Sequence, residues 1–234
     1  MTFLSRVRWG PALSLACIVL GGAALRGWQV NESLWLDELH TSWVVADGAG
    51  EVDQRARSGN QSPLYFWLVW AVVQWCGHTV WALRLLSLIS GTALIAGVAW
   101  LVWRWSGVVG SGLVAALLVA FNRDCIFYAQ EARPYALVQL SAVCHAAIFV
   151  AMLKQPTWRN RGMFVAGAAW LFYLHYTAFL FLLAEACCAL IVRLWRPGWA
   201  AYRGRQAVVD AALIATLLLP TLPHLWQIEK KKKN

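Results

Sequence analysis

The sequence predicts an all-α, polytopic membrane protein, and three observations support this. Hydrophobic residues make up 60% of the 234 residues, charged residues only 13%, and the mean hydropathy is +0.55. A soluble domain carries about 25% charged residues. Apolar runs approaching about 20 residues, the length that crosses a bilayer as a helix, recur along the chain. The sixteen Trp fit interfacial belts, where the ring lies at headgroup level.

The apolar runs divide the chain into spans and connections. They are Pro11–Trp28, Pro63–Gly77, Leu83–Trp103, Val108–Phe121, Tyr135–Leu153, Met163–Leu194 and Ala207–Leu222. No small-residue cleavage site follows the first run, so we expect an uncleaved first span. Met163–Leu194 is too long for one span, and its polar break predicts two helices that meet at His175. We expect one module over residues 1–226, with an external loop of juxtamembrane helices at 29–82, and a polar lysine-rich tail at 227–234.

The positions of basic residues predict the topology. If Pro63–Gly77 crosses the bilayer, Arg104 and the loop Lys154–Arg161 become external. If this short run lies along the outer surface instead, the basic loops all become cytoplasmic, as the positive-inside rule favours. We therefore expect a multi-pass protein of the cell membrane with a cytoplasmic N-terminus and a periplasmic or extracellular site. The net charge of +9 then reflects cytoplasmic loops, and no basic stripe with interleaved aromatics indicates nucleic acid.

The first polar cluster on the predicted outer face is the acid pair Asp37 and Glu38, which Trp35 and Leu36 precede. A carboxylate partly desolvated by such neighbours suits a general base. An ordinary pair of loop acids remains an equal alternative. A carboxylate pair can also hold a divalent metal, although nothing in the sequence requires a metal or another cofactor.

The second cluster lies between two predicted spans and contains Tyr128, Glu131, Arg133 and Tyr135. Pro134 can open the next helix, and an arginine near a helix N-terminus suits a phosphate. The alternative is an interfacial aromatic belt with a local Glu131–Arg133 ion pair.

The remaining candidates are polar groups at span ends, namely Arg84, His175 and Tyr176. Arg84 could contact a lipid phosphate or simply extend to the headgroups. His175 could line a cavity or be a satisfied structural residue. Glu185, inside an apolar run, is expected to form a hydrogen bond between helices.

Taken in order, these segments resemble the GT-C superfamily of membrane glycosyltransferases, in particular the protein-mannosyltransferase and aminoarabinose-transferase-like group. The resemblance is carried by Trp35-Leu36-Asp37-Glu38, Ser62-Pro63-Leu64-Tyr65-Phe66, Leu83-Arg84-Leu85-Leu86-Ser87, Tyr128-Ala129-Gln130-Glu131-Ala132-Arg133-Pro134-Tyr135 and His175-Tyr176-Thr177. The chain departs from the family pattern at Gln61-Ser62-Pro63, where many members of the family have His-Pro-Pro.

The resemblance implies inverting transfer of a sugar from a polyprenyl-phosphate donor to a lipid, glycan or protein acceptor. Asp37 would activate the acceptor with Glu38 beside it, and Arg84 and Arg133 would face the donor phosphate. A transporter or lipid-flippase component, or a non-catalytic truncated membrane protein, are the alternatives.

Overall fold

A computed structural model describes residues 9–195, 198 and 201–221, and these residues form only helices and their connections. The helices are α1 (Trp9–Gly27), α2 (Leu36–Val44), α3 (Ala49–Ser58), α4 (Leu64–Cys76), α5 (Val80–Ser106), α6 (Val109–Phe121), α7 (Arg123–Gln130), α8 (Tyr135–Lys154), α9 (Trp158–Leu174), α10 (Ala178–Trp195) and α11 (Gly204–Leu218), followed by a 3-10 turn at Leu219–Thr221.

Four of these helices are long and apolar enough to cross a membrane: α1, α5, α8 and α10. The pair α6 and α7 passes the same test together but bends by 58° at Asn122, which makes it a broken span or a re-entrant element. The predicted all-α polytopic bundle is therefore confirmed. The break predicted at His175 is also confirmed, because α9 ends at Leu174 and α10 begins at Ala178.

One end of the bundle collects the polar connections, and we call it the site end. Here α1 ends, α5 begins, α7 gives way to α8, and α9 gives way to α10. The Gln130 side-chain amide donates to the carbonyl oxygens of Leu25 at 3.2 Å and Trp28 at 2.6 Å, which joins the ends of α7 and α1. The Thr41 hydroxyl donates to the carbonyl of Ala132 at 2.8 Å and joins α2 to the connection between α7 and α8.

The opposite end carries many of the basic residues, and α11 starts there and runs alongside α9 toward the site end. Arg161 at the start of α9 donates from Nη2 to Asp210 of α11 at 2.7 Å, and Ala201 N–H donates to the carbonyl of Leu153 at 2.9 Å. The described cations at or near this end are Arg104, Lys154, Arg159, Arg161, Arg193, Arg203 and Arg205. Other described cations, namely Arg55, Arg57, Arg84 and Arg133, lie toward the site end. The first basic residues and the predicted tail at 227–234 lie outside the described residues.

Helix α4 is a 13-residue element, which is short for a span. Its Tyr65, Phe66 and Val69 are buried in a core that it shares with α2, α3 and the start of α5. Residues 29–79 therefore form a helical cap over the site end.

A buried arginine that the sequence did not single out binds the backbone at the bend between α6 and α7. Arg26 of α1 is completely buried and donates to the carbonyl oxygens of Val119 at 3.0 Å and Ala120 at 3.1 Å. These carbonyls belong to the last turn of α6, where helix geometry leaves acceptors without partners. Arg26 therefore satisfies the α6 terminus in the interior of the bundle.

Glu185 was expected to link helices, and it does. Its Oε1 lies 3.2 Å from Nδ1 of His145 on α8, while Nε2 of the same imidazole lies 3.1 Å from the carbonyl oxygen of Phe164 on α9. The pair therefore ties α8, α9 and α10 together in the bundle interior.

Close packing of α5 against α6 depends on Gly112, and this gives a first test. A Cβ at Gly112 would lie 2.7 Å from the carbonyl oxygen of Ala99, whereas a Cβ at Gly110 would meet nothing within 4 Å. We expect Gly112→Ala to destabilise the protein by about 1–3 kcal/mol, as overpacking does. Gly110→Ala, the matched control, should leave thermal unfolding in detergent unchanged or slightly raised. Equal melting temperatures for the two variants would contradict this packing.

Candidate functional site

The two acids at the start of α2 have different environments. Glu38 is completely buried, whereas Asp37 is partly exposed. Both lie in the first helical turn, where carboxylates interact favourably with the helix dipole. The Trp35 N–H donates to Glu38 Oε2 at 3.4 Å, so Glu38 also caps the helix to which it belongs.

Glu38 forms a two-point ion pair with Arg84 of α5. Arg84 Nε donates to Oε1 at 2.8 Å and Nη2 donates to Oε2 at 2.5 Å. The Ala132 N–H also donates to Oε1 at 2.7 Å. Planar, two-point geometry makes this type of pair strong and directional. One carboxylate therefore joins α2, α5 and the connection before α8.

The other donors of Arg84 hold the segment that follows α1. Nη1 donates to the carbonyl oxygens of Val30 at 2.7 Å and Glu32 at 3.0 Å, and Nη2 reaches that of Ser33 at 3.5 Å. A guanidinium has five N–H donors, and this arrangement uses all of them. Glu38 and Arg84 thus position α2 and the segment after α1, and the catalytic role predicted for Glu38 and the phosphate contact predicted for Arg84 stay predictions.

Arg133 has a different environment, although it is also buried. Nη1 donates to the backbone carbonyl of Asp37 at 3.3 Å, and the Gln61 amide oxygen, turned toward the guanidinium, accepts from Nη2 at 3.0 Å. Among the described residues, Nε has no hydrogen-bond partner and no carboxylate forms a salt bridge with this guanidinium. Its positive charge is thus held by neutral acceptors and stays available to an anion. Gln61 stands where the resemblance would place a histidine.

The Asp37 carboxylate makes no hydrogen bond or salt bridge with any described residue. One turn further along α2 lies His40, whose two ring nitrogens are buried without a partner. Burial and the nearby Arg133 charge lower the pKa of His40, and Asp37 partly opposes this. A neutral imidazole three residues from a free carboxylate lies on the same helix face. Sequence reasoning missed His40, although its spacing from Asp37 was a usable signal.

Glu131 completes the polar cluster at the site end. It is 4% exposed, and its Oε1 is buried without a hydrogen-bond partner. Desolvation and the nearby Glu38 and Asp37 carboxylates raise the pKa of Glu131 to about 7, against the opposing effect of Arg133. The local Glu131–Arg133 ion pair considered from the sequence is not formed in the described residues.

Aromatic side chains form one wall of the site. The Tyr135 ring lies 5.0 Å from that of Tyr128 and 5.7 Å from the imidazole of His175, measured between centroids. Burial and Arg133 lower the pKa of His175, so the ring is neutral near pH 7, and its Nδ1 lies 2.6 Å from the Thr177 hydroxyl. Burial raises the pKa of the Tyr176 phenol in the same connection.

The arrangement therefore places six of the nine predicted site residues around one polar cluster, and Glu38 and Arg84 form an ion pair beside it. The six are Asp37, Tyr128, Glu131, Arg133, Tyr135 and His175, whereas Tyr176 lies close to Ser62 and Arg57 instead. In the part of the chain that the structure describes, no group of three or more His, Cys, Asp or Glu side chains is placed to hold a metal ion. Comparisons with protein-family models, curated proteins and solved structures found no match for this chain.

The different roles of Glu38 and Asp37 can be tested by substituting each acid alone. Glu38→Gln removes the charge that balances Arg84 and leaves a buried guanidinium unpaired, so we expect it to destabilise the fold by about 3–5 kcal/mol. Asp37→Asn, its neighbour and matched control, should leave thermal unfolding within about 0.5 kcal/mol of the wild-type value. If Asp37→Asn is the more destabilising change, the roles given to the two acids are reversed.

Proposed function

We propose that this chain transfers a sugar, with inversion, from a polyprenyl-phosphate donor to a lipid, glycan or protein acceptor at the outer face of the cell membrane. The observation that supports this most is the combination of Arg133 and Asp37. The Arg133 guanidinium is buried, has no carboxylate partner and donates to the backbone carbonyl of Asp37. The Asp37 side chain is a half-buried carboxylate without a hydrogen-bond partner among the described residues. The first suits a phosphate and the second suits the removal of a proton.

The proposed reaction needs little besides positioning and charge. The acceptor oxygen attacks the anomeric carbon as the carbon–oxygen bond to the phosphate breaks, and Asp37 takes the acceptor proton. Arg133 balances the charge that grows on the leaving phosphate, as electrostatic stabilisation requires. Tyr128, Tyr135 and His175 provide a wall with neutral polar groups that can orient a sugar. A lipid-linked donor also explains a site placed where membrane helices end.

A transporter or flippase component is the second candidate, and one observation favours it. His145 and Glu185 form an ionisable pair within the apolar helices α8 and α10. Such intramembrane pairs are costly and often belong to transport pathways. The pair also bridges three helices, which accounts for it structurally, so glycosyl transfer remains our preferred function.

The direct test compares sugar transfer by the wild-type chain and Asp37→Asn, using membranes with equal amounts of each and a panel of labelled polyprenyl-phosphate sugars. We expect Asp37→Asn to lower transfer by about 10²-fold or more, as loss of a general base does.

Glu51→Gln is the matched control, because Glu51 is an exposed carboxylate on α3 and lies outside the site. It should transfer at the wild-type rate. Transport of a polyprenyl-phosphate lipid without transfer, insensitive to Asp37→Asn, would favour the flippase alternative. No transfer from any donor by stably inserted wild-type protein would contradict the proposed function.

A further inference from the structure

Glu131 is a buried carboxyl group that has no role in the reaction proposed above. It lies in the connection between α7 and α8, outside the spans, and is 4% exposed. No described side chain or backbone group forms a hydrogen bond or salt bridge with its carboxylate. An ionised carboxylate without a partner in such a place is strongly disfavoured.

The charges around Glu131 strengthen this conclusion. Asp37 and Glu38 of α2 act on it with negative charge, and Arg84 of α5 and Arg133 of its own connection act with positive charge. The Tyr65 phenol of α4, whose pKa is raised mainly by burial, also interacts electrostatically with the Glu131 carboxyl group. Arg84 is already neutralised by Glu38 through two hydrogen bonds.

Among the described charges that act on Glu131, Arg133 is therefore the cation that remains for two carboxyl groups, Asp37 and Glu131. The cluster is neutral when one of the two holds a proton. Glu131 is the more buried, so it is the group that holds it.

We propose that Glu131 enters the reaction protonated and delivers its proton to the phosphate that the donor lipid releases. This step rests on the proposed function and adds a second proton-transfer group to it. The Arg133 guanidinium is one of the charges that act on the Glu131 carboxyl group, so a phosphate bound by Arg133 would lie close to this carboxyl group.

The protons and electrons of this step balance. The acceptor O–H proton moves to Asp37 as the new glycosidic bond forms. The electron pair of the broken carbon–oxygen bond stays on the phosphate, which takes the proton from Glu131 and leaves as a singly charged monoester. Proton movement from Asp37 back to Glu131, through water at the membrane surface, restores the starting site.

The acidities of the two groups suit this exchange. A phosphate monoester has a second pKa of about 6. Burial and neighbouring carboxylates raise the pKa of Glu131 to about 7. The proton thus passes between two groups of similar pKa, which makes its transfer easily reversible near neutral pH.

The first measurement follows the proton itself and requires no transfer activity. Infrared spectra of the purified full chain, recorded from about pH 5 to about pH 9, report the C=O stretch of protonated carboxyl groups. We expect a band that disappears as the pH rises through about 7 and that is missing from Glu131→Gln. Glu51→Gln, which alters an exposed acid, should keep it. A band that persists unchanged in Glu131→Gln, or no band, would overturn the proposal.

The second measurement is the pH profile of sugar transfer. We expect the wild-type rate to fall about tenfold for each pH unit once Glu131 has lost its proton. Glu131→Gln should be slower at low pH, because its amide can donate a hydrogen bond but not a proton, and its profile should lack this fall. Where Glu131→Gln does not insert stably, Glu131→Asp replaces it and should retain a pH-dependent fall.

The outcomes separate the two hypotheses. Transfer by the wild type with identical pH profiles for wild type and Glu131→Gln overturns the role of Glu131 and keeps the proposed function. A carboxyl band that titrates as expected, with no transfer from any polyprenyl-phosphate sugar, overturns the proposed function and with it the phosphate as the proton acceptor.

Discussion

The ion pair between Glu38 and Arg84 is the interaction on which the site end depends. It joins α5 to α2 and to the segment after α1, and it joins α2 to the connection before α8, through contacts between residues 46 to 94 positions apart in the chain. A buried pair of this kind is costly to form and more costly to break, because removing one partner leaves an unbalanced charge. Its value here is geometric: with Glu38 fixed, the first turn of α2 is fixed, and Asp37 is presented beside Arg133.

The site thus has two layers of charge with different tasks. The inner layer, Glu38 and Arg84, has its hydrogen-bonding capacity filled by protein groups. In the outer layer, Asp37, Glu131 and Arg133, some hydrogen-bonding groups have no partner among the described residues. These include buried polar atoms of Glu131 and Arg133. Buried polar atoms are normally satisfied, so such atoms clustered in one place indicate that something else completes the site. A phosphate-bearing ligand would meet the unpaired guanidinium and accept from the protonated carboxyl group.

Much of the fold could be predicted from the sequence because apolar length is a strong signal in membrane proteins. The break at His175 and the proximity of Asp37, Arg133 and His175 followed from runs and charges, whereas the placement of Pro63–Gly77 along the membrane surface stays a prediction. The structural roles of Glu38 and Arg84 could not, because adjacent acids look equivalent in a sequence and only tertiary contact shows which one is buried. Arg26 and His40 were missed for the same reason: each lies in an apolar or amphipathic run, and its significance comes from distant backbone or neighbouring side chains.

The proposed binding of a lipid phosphate by Arg133 at the site end is tested most directly by a binding measurement. A labelled polyprenyl phosphate would be titrated into nanodiscs that hold the wild type, Arg133→Gln, or Arg159→Gln as the control. Arg159 is an exposed arginine at the start of α9, at the opposite end of the bundle. We expect Arg133→Gln to weaken binding by at least about tenfold, the effect of losing a charge-assisted hydrogen bond, and Arg159→Gln to bind as the wild type does. Equal affinity for the wild type and Arg133→Gln would contradict the account.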